Sequence, residues 1–84
     1  MPRKRLTPLS PTALHLADRV YVLRHTKRLT QRELAEAVGC SPATISGLES
    51  KKLGDITLEH LVALARVLGT TTDDLLGVEA NHAA

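Results

Sequence analysis

Apolar positions along the chain fall at helical spacing almost throughout, and the breaks between them carry helix-start and helix-stop chemistry. Leu14, Ala17, Val20 and Leu23/Arg24 follow one another at steps of three and four, which predicts the buried face of a first helix. Ser10 is placed to cap it, and Pro11 suits the first helical position, where a missing N–H costs nothing. Thr30 and Glu33 form a T-x-x-E capping box that opens a second helix with Leu34, Ala35 and Val38 inside, and Gly39 supplies the left-handed residue that ends it. Ser41 and Pro42 then start a third helix with Ile45 and Leu48 facing inward. About three residues separate these two helices. A connection that short, with glycine at its corner, predicts the steep crossing of a helix-turn-helix.

Residues 53–56 contain Gly54 and Asp55 and read as a loop. Thr57 caps a fourth helix in which Leu58, Leu61, Leu64, Ala65 and Leu68 make the most regular apolar face of the chain, and Gly69 stops it. Thr71 with Asp74 gives another start signal, for a short fifth helix over "DDLLG". The expected fold is all-α: a compact five-helix bundle holding a helix-turn-helix. Residues 1–9 have charge and a helix breaker but no apolar period, and read as a flexible basic arm. Residues 10–78 form the folded domain, and residues 79–84 a disordered tail. No internal repeat and no second domain is apparent.

Composition narrows the chemistry. A chain of 84 residues buries only about 60 to 65% of the surface it exposes unfolded, and with one Tyr and no Phe or Trp the core must be aliphatic. Cys40 stands alone, so neither an intramolecular disulfide nor a Cys-rich zinc site can be drawn. No apolar run reaches membrane-spanning length and no signal-peptide segment is apparent, so the chain reads as cytoplasmic. The net charge of +2 hides a division. Residues 1–52 carry ten Lys/Arg against four Asp/Glu, whereas residues 53–84 carry Arg66 against five acids. One half suits a polyanion and the other does not.

His15, His25, His60 and His82 are scattered without metal-ligand spacing, and no Ser/His/Asp arrangement can be built from one helical core. No catalytic residue, metal ligand or cofactor is assigned, and the chain reads as a non-enzyme. A redox role for Cys40, beside the third helix, stays open.

The stretch "LRHTKRLTQRELAEAVGCSPATISGLES", with "LEHLVALARVLGTTTDDLLG" after it, resembles the Cro/repressor-type (Xre) helix-turn-helix family of prokaryotic and phage regulators. The likeness covers about residues 14–77. It implies a lambda-repressor-like domain that binds double-stranded DNA as a symmetric homodimer, with the third helix in the major groove and a nucleoid-associated location. Carried over residue by residue, the base-facing positions are Pro42, Ala43, Ser46 and Gly47, joined by Thr44. Relatives often have Gln, Arg or Asn there, able to make bidentate contacts. Here Pro42, Ala43 and Gly47 have no side-chain donor, so direct readout should be sparse.

Gln31 at the start of the second helix and Ser41 at the start of the third are expected to meet phosphates, aided by free N–H groups and the positive helix end. Lys51 and Lys52 should face the DNA backbone, with Arg32 and Arg28 on the same flank. Arg28 stands where relatives have glycine. Asp55, where relatives are neutral or basic, weakens a phosphate contact in its loop. Arg24 and Glu49 occupy positions that relatives use for a structural ion pair between the first and third helices. The arm residues Arg3, Lys4 and Arg5 should add affinity rather than register.

The leading functional reading is a sequence-specific transcriptional regulator, most simply a repressor that occludes a promoter at a palindromic operator. Its dimer contact is expected on the fifth helix and the nearby end of the fourth, because Leu75, Leu76 and Val78 are too apolar for a free tail. The alternative is a protein-interaction module on the same fold, an antitoxin with a toxin partner or an adaptor.

Overall fold

In the computed structural model, residues 10–52 and 56–78 are described. The segments read as a basic arm and a C-terminal tail, and most of the loop at 53–55, lie outside the described residues. Five helices follow in order: α1 (Pro11–Thr26), α2 (Gln31–Val38), α3 (Pro42–Glu49), α4 (Leu58–Leu68) and α5 (Thr72–Leu76). The described residues are all-α.

Every helix begins on a hydroxyl. Ser10, Thr30, Ser41, Thr57 and Thr71 each accept a backbone N–H three residues on, at 3.0 to 3.2 Å. At Thr30 the bond is reciprocal, since its backbone N–H donates to Glu33 Oε1 at 2.9 Å, which completes the capping box.

The helix ends share one device and differ in the residue that carries it. Gly39, at φ 93°, makes the left-handed turn that lets α3 set off steeply from α2. The same backbone turn closes α1 and α3, yet there the left-handed residues are Arg28 (φ 59°) and Lys51 (φ 68°). Their N–H groups bond to His25 and Leu48 carbonyls, and the following N–H groups reach back to Arg24 and Gly47. Two L-residues therefore hold a conformation that glycine enters without steric cost.

The core is a single cluster in which Val20, Leu34, Ala35, Ile45, Leu64 and Leu75 are fully buried. α2 packs on α3 and α4, while α1 packs on α5, α3 and α4. Two inward faces differ from the sequence reading. On α1 the buried stripe is Ala13, Leu16, Ala17, Val20 and Arg24, and Leu14 and Leu23 are only half-buried. The helix is turned so that its small alanines meet its neighbours and Leu14 falls on the flank. On α4, Leu58 lies 76% exposed and Leu61 half-buried, so the inward face is Leu64, Ala65 and Leu68. Val38 is also half-buried, packed on the core edge.

α5 is tied to α1 by polar contacts as well as by Leu75. His15 Nε2 lies 2.9 Å from the Asp74 carbonyl, and Arg19 donates from Nε and Nη2 to Asp74 Oδ2 at 3.2 and 2.9 Å. Thr70 Oγ1 donates to the same oxygen at 2.7 Å. The hydrogen bonds from Thr70 and then Arg19 hold the Asp74 carboxyl below its ordinary pKa.

Candidate nucleic-acid interface

α3 is held by a buried carboxylate. Glu49, on its last turn, accepts from Arg24 Nε at 2.6 Å and Nη2 at 2.9 Å, a bidentate pair whose side chains are only 10% (Arg24) and 5% (Glu49) exposed. Arg24 Nη1 donates to the Leu29 carbonyl at 2.7 Å, so one guanidinium joins the end of α1, the α1–α2 turn and α3. The hydrogen bonding of the guanidinium to Glu49 is the main reason the Arg24 pKa is raised, which keeps the guanidinium charged despite burial. Tyr21 adds an outer wall: its ring lies 4.2 Å from that of His25 and 5.9 Å from the Arg24 guanidinium carbon.

Gln31 belongs to the same cluster. Its Nε2 donates to Glu49 Oε1 at 3.0 Å, a bond that sequence reasoning missed because the partners lie eighteen residues apart on different helices. One amide N–H is thus committed inside the protein, and the second N–H and the amide oxygen remain for an outside partner.

The outward side of α3 is small and open. Ala43 and Ser46 are exposed, while Pro42, Thr44 and Gly47 are half-buried. A Cβ built on Gly47 would meet nothing within 4 Å, so no internal packing requires glycine there. Thr44 is less available than its position suggests. Its Oγ1 lies 3.1 Å from Ser41 Oγ, which also accepts the Thr44 N–H, so both hydroxyls serve the helix start.

The cationic residues are placed unevenly. Arg28, Arg32 and Lys52 are exposed, Arg28 on the left-handed turn just before α2. Lys51 is exposed too, but its Nζ lies 3.3 Å from Asp18 Oδ1 on α1, so its charge is partly turned toward the protein. Nothing in the sequence signalled the left-handed backbone at Lys51, whereas the glycine that relatives have at Arg28 was such a signal. Arg3, Lys4, Arg5 and Asp55 lie outside the described residues.

Among the described residues no group of three or more His, Cys, Asp or Glu is placed to hold a metal ion, and no helix is long and apolar enough to cross a membrane. Cys40 is half-buried, and burial pushes its thiol pKa up, which lowers the thiolate fraction that redox chemistry needs.

The profile of a helix-turn-helix family (HTH_3) matches residues 23–75, from the end of α1 to α5. Among solved structures, a hypothetical transcription factor from Neisseria is 26% identical with a TM-score of 0.71, the alignment covering 90% of this chain and 85% of that one. The clp gene regulator of Corynebacterium glutamicum is 31% identical with a TM-score of 0.70, covering 80% and 70%. Hydroxypropylphosphonic acid epoxidase from S. wedmorenis is 28% identical with a TM-score of 0.68, but 77% of this chain spans only 34% of the epoxidase. No curated protein sequence matches the chain. With the profile covering more than half of its length, and with the turn, caps and helix order just described, the chain belongs to the Cro/repressor-type (Xre) helix-turn-helix family.

Proposed function

We propose that this chain is a sequence-specific, DNA-binding transcriptional regulator that acts as a homodimer, most simply as a repressor on a palindromic operator in the cytoplasm. The observation that carries the reading is the open side of α3, Ala43, Ser46 and Gly47, held at a fixed angle by Glu49, Arg24 and Gln31 beside the exposed cations Arg28, Arg32 and Lys52. A smooth helix between positive flanks suits a groove between two phosphate strands. The cations supply affinity, and the small side chains let the backbone approach base edges.

In this reading Gln31 presents its remaining amide N–H to a phosphate, Ser41 does so through the helix start rather than its engaged hydroxyl, and Lys51 must exchange Asp18 for DNA. Ser46 is the main side-chain donor to bases, Thr44 a lesser one, and Ala43 contacts a thymine methyl. Pro42 and Gly47 shape the approach. Much of the specificity then comes from groove shape rather than bidentate contacts. Two copies would place half-sites about 34 Å apart.

The test is selection from random duplex DNA, with binding of the enriched sequence followed at two salt concentrations. Recovery of a two-fold symmetric site with salt-dependent affinity supports the reading; no enrichment above unselected duplex overturns it. The second reading, an interaction module with a protein partner and no catalysis of its own, draws on the occurrence of the same fold as about a third of an epoxidase chain. Failure to enrich DNA would favour it.

A further inference from the structure

Five large apolar side chains are exposed among the described residues: Tyr21, Val22, Leu58, Val62 and Val78. Tyr21 is accounted for by its contacts with His25 and Arg24. Leu58 (76% exposed) and Val62 (52%) stand one turn apart on α4, and Arg66 follows after one more turn. With Glu59 these residues line a shallow groove of about 300 Å³. The alternative apolar surface, at α5, is mostly used: Leu75 is fully buried and Leu76 packs against the core, which leaves Val78 as a single exposed side chain past the helix end.

We propose that this face of α4 is the contact between two copies of the chain, with the two α4 helices crossing antiparallel about a two-fold axis beside Val62. The inference refines the homodimer of the preceding reading and rests on that reading only for the identity of the partner. The charge order selects the arrangement. About an axis beside Val62, Glu59 lies about one turn before and Arg66 one turn after, so an antiparallel crossing sets Glu59 of each copy against Arg66 of the other, while a parallel one sets like charges together. Each charge also suits the dipole of its own helix, but the dipole gives no reason for Leu58 and Val62 to face water beside them. Two aliphatic side chains per copy fall short of the roughly 800 Å² per partner of a standard interface. The free dimer is therefore weak and is completed on its ligand.

The test uses the full chain without DNA. In a Cys40→Ser background, Val62→Cys should form an interchain disulfide under mild oxidation at least about tenfold faster than Val22→Cys, because only the first lies near enough to its symmetry mate. In sedimentation, Glu59→Arg or Arg66→Glu alone should weaken self-association about tenfold, and the two together should restore it. Leu58→Asp should weaken it by about 100-fold, since each dimer loses two buried leucines. Val22, Leu58, Glu59, Val62 and Arg66 are all exposed in one copy, so helical circular dichroism should stay as in the parent or, for the cysteine variants, as in Cys40→Ser. Equal cross-linking at positions 62 and 22, or a double charge swap no better than the single ones, overturns the proposal. A chain that cross-links through position 62 but binds no duplex overturns the regulator reading and leaves this contact standing.

Discussion

Arg24 and Glu49 meet end to end across the junction of α1 and α3, two hydrogen bonds of 2.6 and 2.9 Å inside the protein surface. Breaking such a pair from one side leaves a buried charge without a partner, which typically costs about 3 to 5 kcal/mol, whereas replacing both members by apolar groups of similar size is often neutral. Glu49→Ala should therefore bring a large fall in the urea midpoint. Arg24→Met combined with Glu49→Leu should recover most of it. If the pair fixes α3 for a ligand, the double variant stays folded but loses duplex affinity, because Gln31 has lost its acceptor as well. Recovery of both stability and affinity would reduce the cluster to ordinary packing.

Asp74 gives stability a defined pH dependence. Its carboxyl pKa is lowered in the folded chain by Thr70 and Arg19, so the folded state holds fewer protons than the unfolded one. The stabilisation is complete above the ordinary Asp value of 3.8 and is lost as pH falls through the lower folded value. Melting temperature should drop over that acid range, with α5 loosening from α1 first. Asp74→Asn should be less stable than the parent at neutral pH, and the gap should narrow under acid. A gap that stays constant across pH would show that Asp74 acts only through its uncharged contacts.

Arg28 and Lys51 set stability against binding. Each holds a left-handed backbone, which costs an L-residue roughly 1 to 2 kcal/mol. Glycine enters that region freely but loses more chain entropy on folding, so the net gain from Arg28→Gly or Lys51→Gly should be about 0.5 to 1 kcal/mol. Thermal denaturation checks this half. The binding half is read from salt: each cation that neutralises a phosphate should, when removed, flatten the slope of log affinity against log salt by about 0.9. Lys51 should show the smaller change because Asp18 already holds part of its charge. Variants that gain stability and keep the full slope would place both cations outside the interface.

Local signals accounted for most of the helix boundaries. Hydroxyl caps and the T-x-x-E box act over three residues, so Ser10, Thr30, Ser41, Thr57 and Thr71 could be read directly. Orientation was less legible, because a three-four period names several adjacent stripes and only packing chooses among them. Leu14 and Leu58 fit the period yet sit on the flank or in water, while Ala13 and Leu16 take the inside of α1. The interior of the candidate site was the least legible part. Gln31 and Glu49 join α2 to α3 and Asp74 joins α5 to α1, over separations that no local pattern encodes. The emptiness of the α3 face was readable, since Pro42, Ala43 and Gly47 have no side-chain donor in any fold.

Gly47 offers the sharpest separation of fold from function. It lies inside α3 with ordinary helical backbone, and an added methyl group would touch nothing within 4 Å. Alanine in a helix interior is more favourable than glycine by about 0.8 to 1 kcal/mol. Gly47→Ala should therefore raise the melting temperature and the urea midpoint. In the proposed reading, the glycine that the fold does not require is kept because part of the ligand comes close to it. If that is a base edge or sugar, the same methyl group should reduce duplex affinity by about tenfold or more, equivalent to the 1.4 kcal/mol of a lost contact. Ser46→Ala, one residue earlier, should instead relax base preference at one position and leave salt dependence unchanged. A Gly47→Ala chain that is more stable and binds as tightly as the parent would move the reading face away from the first two turns of α3.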